Sequence, residues 1–363
     1  MLFPGWALQL GGFALLAAKL VAAALLLLLL VLGVFVQWAT RKQRKGVADE
    51  PPAPSSGTEA ATLKKGDTLK VATYNIHFGI GSDWTVEVGR SREAVLKNLD
   101  AIGAAVKGCD IVAIQEIDRS SDRSWHTDQL EHLKRVTGLP HAVWTTVWDV
   151  RWVPHPGLNP AKQIGGVWSA NIILSRFPLE VGQDAHIKLP QPTSQATGGW
   201  YSKVLPLTGL YNRFFLNRHL TDVTAVLGPG LRLRIVNGHL EAFSKANRME
   251  QAQIVAKLLS PDGQPVEPYT LLCGDFNLNV QHPSQAKFQP EPDKTLAYIQ
   301  AIPGLRQLMP TGKNVHTCPA TTPRLTIDYI FTGAGLGHLG GEVVQQEVPP
   351  SDHLPVVGSF KLV

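Results

Sequence analysis

The sequence predicts an α/β fold, a sandwich of mixed β-sheets with helices outside, preceded by one N-terminal transmembrane helix. Three observations lead there. An apolar run opens the chain. Downstream, short apolar strands are interspersed with segments of helical periodicity. The strands are of two kinds, some apolar throughout and some alternating, as in sheets with both fully buried and half-exposed strands.

Leu20 to Val36 is unbroken in its apolarity, and extended back to Gly11 the run holds only Lys19 as a charge. About 20 apolar residues cross the hydrocarbon core of a bilayer, so residues 11–38 are expected to be the membrane contact. A cleaved signal peptide fits poorly: no basic side chain precedes the run, and no small-x-small site follows it. Arg41, Lys42, Arg44 and Lys45 flank its C-terminal side, and the positive-inside rule then places the rest of the chain in the cytoplasm, on a single-pass membrane protein. Residues 1–45 thus read as an anchor with a basic flank. Residues 46–66, rich in Pro, Ser, Ala and acids, read as a flexible linker, and residues 67–363 as one large domain.

Within that domain, Leu69 to Asn75 is a short strand. Ser91 to Val106 is a helix with Leu96, Leu99, Ile102 and Val106 on one face, and Asp110 to Glu116 is a strand buried on both faces. Thr127 to Val136 is a helix stopped by Gly138 and Pro140. Ala170 to Leu174 is a strand. Leu231 to His239 alternates apolar residues with Arg232 and Arg234. Ala246 to Leu259 is a helix aligning Met249, Ala252, Ala256 and Leu259. Tyr269 to Asp275, Ile327 to Thr332 and Leu354 to Phe360 complete the strands.

Bulk properties exclude little. The chain of 363 residues has a net charge of +5, part of it in the basic flank. That is too weak to argue for nucleic acid, and it leaves room for a local basic groove. Three cysteines (Cys109, Cys273, Cys318) without regular spacing exclude a disulfide framework and a cysteine zinc site. No HExxH, GxxxxGK[ST], strand-following GxGxxG or GxSxG occurs, which argues against a zinc protease, a nucleotide-cradling loop and a serine hydrolase.

Chemistry is legible in where polar residues fall. Asn75, Glu116, His239 and Asp275 each close a strand, and Asn277 follows by two. Asp328 lies inside a strand, and Asp352 and His353 directly precede the last one. Any one of these alone reads as a turn former. Glu116 and Asp328 resist that reading, because a carboxylate inside an apolar run is costly unless paired or metal-bound. Jointly they form an oxygen-rich set suited to Mg²⁺ or Mn²⁺.

The ordered motifs TYN75, IQE116, NGH239LE, GD275FN277, ID328YIF and SD352H353LP resemble the endonuclease/exonuclease/phosphatase superfamily, the deoxyribonuclease I-like metal-dependent phosphoesterases. The resemblance covers roughly residues 68–363, and ANIILSRFPL from Ala170 to Leu179 extends it. It implies a four-layer α/β sandwich with its site at one end of two facing sheets. It also implies that Glu116 is the principal metal carboxylate, with Asn75 beside it and Asp352 close by. Asp275 would orient or deprotonate the attacking water, Asn277 would position it, and His353 would act as acid/base with Asp328 as partner. His239 would donate to a phosphoryl oxygen and Asn171 would contact the phosphate. At the position two past Asn75, where the abasic-site nuclease branch often has an acid, this chain has His77.

The resemblance implies hydrolysis of a phosphoester and does not select the substrate. Two aromatic-rich segments read as insertions: Trp125 to Trp168, and Gly198 to Phe215 with Lys203 and Arg213 interleaved. Their rings can pack in the core, rest at a lipid interface or stack on bases. The anchor favours a lipid headgroup or other membrane-proximal ester, since tethering raises local concentration. The alternatives are a membrane-bound nuclease acting on DNA or RNA, for which a basic groove would speak, and a non-catalytic phosphate-binding module, against which the intact polar set speaks. No obligate protein partner is evident.

Overall fold

The computed structural model describes residues 5–42, 62–82, 91–153, 164–191, 217–242, 244–278, 292–312 and 314–363. Most of the expected linker and the aromatic segment 198–215 lie outside these residues.

A 35-residue helix, α1 (Gly5–Ala39), comes first. Within it Leu15–Ala39 is long and apolar enough to cross a membrane. Its large apolar side chains from Leu15 to Val34 are all more than half exposed among the described residues.

The rest is two six-stranded sheets face to face. The first contains β1 (Thr68–Asn75), β2 (Ile111–Asp118), β3 (His141–Val153), β4 (Gly165–Ser175), β11 (Leu336–Val343) and β12 (Val356–Leu362), in the order β11-β12-β1-β2-β4-β3. The second contains β5 (Leu179–Lys188), β6 (His219–Gly228), β7 (Leu231–His239), β8 (Thr270–Asp275), β9 (Arg306–Gln307) and β10 (Asp328–Thr332), in the order β5-β6-β7-β8-β10-β9. Between them lies an apolar core that includes Val71, Ile111, Ile173, Leu233, Leu271 and Phe360. Helices α2 (Arg92–Ala105) and α3 (Gln129–Thr137) cover the outside of the first sheet, and α4 (Lys245–Leu259) and α5 (Thr295–Gln300) that of the second. The four-layer expectation is therefore met.

Two strand pairs are parallel, β1 with β2 and β7 with β8. A parallel pair needs a crossover, supplied by α2 and α4. Each β-α-β unit brings the C-terminal ends of its two strands to one edge, and the two units stack with those edges together. That arrangement positions the site.

Ser91 caps α2 by accepting from Ala94 N, Asp128 caps α3 through Glu131 N, and Gly138 ends α3 in the left-handed region. The buried face of α4 differs from the expected one by about one residue. Arg248, Gln251, Ala252, Val255 and Leu259 point inward while Met249 is half-buried. The fully buried Arg248 is held by Asp293 at 2.8 Å and the Glu241 carbonyl at 2.7 Å, a pairing that apolar periodicity cannot register. Residues 125–168 are likewise not a loop insertion: they include β3 and the start of β4, an antiparallel hairpin of the first sheet. The three cysteines are free and buried.

Candidate active site

Asn75, His239 and Asp275 are the last residues of β1, β7 and β8. Asp328 opens β10 directly opposite Asp275. Asp352 and His353 precede β12, which runs antiparallel to β1. All of them, with Asn277, are at most 6% exposed. Glu116 is placed differently from the expectation of a strand end, since β2 runs on to Asp118. Glu116 sits instead in a β-bulge between Ile114 and Ile117, with φ +55°. A bulge re-aims a side chain, and here it turns Glu116 toward His239, whose Nε2 is 3.8 Å from its carboxylate.

The sheets meet through polar contacts at this end. Asn75 Nδ2 donates to Asp275 Oδ2 at 3.0 Å, while its Oδ1 accepts from His77 N. Asp275 Oδ1 accepts from Asn277 N at 2.9 Å, and His239 Nε2 lies 3.4 Å from Asp275 Oδ2. His353 Nδ1 pairs with Asp328 Oδ2 at 2.8 Å, leaving Nε2 at 3.8 Å from Asp275. His239 and Asp275 can lie side by side because Gly238 and Gly274 precede them. A Cβ on Gly274, whose φ is +145°, would meet the Gly238 carbonyl at 1.9 Å. Asn277 and His77 also have positive φ, a conformation that costs about 1–3 kcal/mol and clusters at functional sites.

Asn171 lies on β4, paired with Thr145 of β3 and opposite the Glu116 bulge. It is 1% exposed, and neither atom of its amide has a partner.

Sequence reasoning missed three groups here. Gln115 and Asn237 form a buried polar floor between the sheets, linked at 2.7 Å, and Asn237 Nδ2 also donates to the Ile114 and Ile172 carbonyls flanking the bulge. The available signal was a polar residue at an inward position of an otherwise apolar strand. Arg218, directly before β6, is 5% exposed, with Nε 3.6 Å from Glu241 and Nη1 without a partner. Nothing in its local sequence distinguished it from a surface arginine.

The electrostatics follow from burial and charge. Burial raises Asp275, and the Asp328 charge adds to it, bringing the carboxyl to about 7. Burial also raises Glu116, helped by Asp352. His239 is pushed well below its usual value by burial and then by Arg218 and His353, so it is a neutral imidazole. For His353 burial acts downward, but Asp328, Asp275 and Asp352 outweigh it and hold the ring well above its usual value.

Buried Asp275, Asp328 and Asp352, with partly exposed Glu116, stand against one imidazolium and one guanidinium and leave a negative excess, which fits a divalent cation. Among the described residues, donor atoms of Asp275, Asp328 and His353 lie within 4.8 Å of one another. Two of these already bond to each other, so that trio reads better as an acid/base pair than as a cation cage. Among the described residues Glu116 makes no such bond, and its carboxylate lies 3.8 Å from His239 Nε2.

The structure is a two-sheet sandwich flanked by helices, with acids, amides and imidazoles gathered at one end. The chain belongs to the endonuclease/exonuclease/phosphatase family, whose model matches residues 72–353. Among solved structures it is similar to an endonuclease/exonuclease/phosphatase from Beutenbergia cavernae DSM 12333, at 21% identity over 82% of this chain and 72% of that one, TM-score 0.55. It is also similar to a family protein from Bacteroides thetaiotaomicron, at 18% identity over 81% and 97%, TM-score 0.52. No curated protein matches.

Proposed function

We propose that this protein is a divalent-metal-dependent phosphoesterase that works at a membrane surface. The observation carrying the reading is the meeting of Glu116, Asp275 and His353 from two sheets in one cluster around His239 and Asp275.

Glu116, with Asp352, would hold Mg²⁺ or Mn²⁺, which supplies charge neutralisation for the phosphoryl oxygens. Asp275, held by Asn75 and by Asn277 N–H, takes the proton of the attacking water; its raised affinity for protons suits a base near neutral pH. His353, cationic against Asp328, gives its Nε2 proton to the phosphoryl or leaving oxygen. Neutral His239, Arg218 and the Asn171 amide supply further donors to an anion whose charge repels nucleophiles. The anchor helix keeps this site near lipid.

The test is hydrolysis of bis-p-nitrophenyl phosphate by the full chain in detergent. EDTA should abolish it and Mg²⁺ or Mn²⁺ restore it; activity indifferent to chelation would refute the metal. A panel of DNA, RNA, sphingomyelin, phosphoinositides and simple monoesters then selects the substrate. Turnover of nucleic acid without turnover of any phospholipid would refute the membrane-surface reading in favour of a nuclease.

A further inference from the structure

We infer that the active-site end of the sandwich is the end that faces the bilayer, docked through the β3–β4 hairpin, and that the substrate is a phosphoester at lipid-headgroup level. This rests on the phosphoesterase reading above.

The argument starts from register. β2 pairs with β4 only as far as Asp118 with Ser169, whereas the β3–β4 pairing continues to Val153 with Gly165. The hairpin therefore projects past the end of β1 at Asn75 and past the end of β2, two residues beyond Glu116. It keeps its own apolar cluster of Val147, Trp148, Val150, Val153, Ile164 and Val167. The anchor joins the chain at that projection. Arg151 N donates to the Arg41 carbonyl at 3.1 Å, the Phe35 and Trp152 rings meet edge-on at 5.4 Å, and Ala39 is fully buried in the junction. The preceding turns of α1 stand free of the domain, so a bilayer around them ends at this junction.

From Gly165 back to Asn171 is six residues of strand, roughly 20 Å at about 3.3 Å each. The site mouth is thus on the membrane side of the domain and near the surface. The composition of the projection agrees. Trp38 is 45% exposed and Trp125 52%. Trp125 lies on the turn after β2 that is pinned to the hairpin by Asp122 accepting from Gly166 N. Arg41 and Lys42, both exposed, follow Trp38. Tryptophans with adjacent basic residues are the side chains that settle at the headgroup layer. A second copy or a soluble partner would not account for the apolar α1 in direct continuity with this face.

The experiment places the full chain in phosphatidylcholine/phosphatidylglycerol nanodiscs containing a headgroup-nitroxide lipid. The natural cysteines are buried, so single labels are selective. A fluorophore at Trp125→Cys, or at His126→Cys where the ring is 62% exposed, should be quenched several-fold more than one at Lys107→Cys on the opposite end of β2. Equal or reversed quenching overturns the orientation. In parallel, sphingomyelin and phosphoinositides in the same disc should be hydrolysed at least ten-fold faster than the same lipids offered in separate vesicles. Trp152→Asp should remove that advantage while leaving bis-p-nitrophenyl phosphate turnover unchanged. Hydrolysis of the soluble diester with no turnover of any headgroup ester in the disc overturns the substrate class. Failure on the soluble diester itself strikes the phosphoesterase reading instead, and the quenching result still decides the orientation.

Discussion

Replacing Asn237 by Leu tests whether the second sheet sets the position of the Glu116 bulge. Leu keeps the branched four-heavy-atom skeleton of Asn, so the main change is one of hydrogen bonding. Asn237 makes three buried bonds: it accepts from Gln115 Nε2 at 2.7 Å and donates to the carbonyls of Ile114 at 3.1 Å and Ile172 at 2.9 Å. Each is worth about 1 kcal/mol net, and a buried carbonyl stripped of its donor costs about 1–3 kcal/mol. The two carbonyls flank the bulge, so part of the loss is relieved by backbone movement there. The expected destabilisation is about 3–5 kcal/mol, a fall in Tm of roughly 10 °C for a domain of this size. Because a shift of about 1 Å in a reacting group can cost about 100-fold, kcat on bis-p-nitrophenyl phosphate should fall by at least about ten-fold. Thermal unfolding and steady-state kinetics of the full chain in detergent measure both. A loss below about 1 kcal/mol with kcat unchanged would refute the claim that the polar floor supports the site.

Other outcomes are expected. His353→Ala and Asp275→Asn should each lower kcat at least about 100-fold, the scale of lost acid/base catalysis; wild-type rates in both would mean the chemistry lies elsewhere. In EDTA, Tm should fall as pH rises above about 6.5, where His353 loses its proton when unfolded but keeps it when folded. Asp275 and His353 both hold protons more tightly folded than unfolded, so the stability they give at lower pH is lost as pH rises through their folded values. His239, shifted the other way, contributes only below about 6.5. Asp275→Asn should flatten that slope, and an unchanged melting profile would count against the assignment. Arg218→Met should lower kcat/KM by about 10- to 100-fold through loss of a charged donor to the phosphoryl group, with Arg218→Lys retaining part of it. Equal rates in all three proteins would make Arg218 structural.

Much of the site was legible because a polar residue ending an apolar run stands out against its neighbours. Asn75, His239 and Asp275 stood out in that way and Asp328 as an acid inside an apolar run, and the structure brings them together with Asn277 and His353. Arg218 was not, because a basic residue before a strand looks the same whether it faces water or a buried carboxylate. The face of α4 was misjudged because the fully buried Arg248 breaks the apolar pattern that marks an inward side. Strands β5, β6, β9 and β11 went unread, and β3 was taken for part of an insertion. Edge and hairpin strands owe their state to their partners more than to their own residues.

The sequence by itself determined the apolar length of α1, the alternation of strands and helices, and the inventory of acids, amides and imidazoles, since these depend on local spacing and residue chemistry. Tertiary structure alone decided that two β-α-β units stack with their strand ends together, that a bulge turns Glu116 toward His239, and that α1 joins at the same end as the site. Those relations run between residues up to some 270 positions apart, as in the Ser351 Oγ bond to the Asn75 carbonyl across 276. No window of local sequence encodes them, because they arise from sheet pairing and the packing of one sheet on the other.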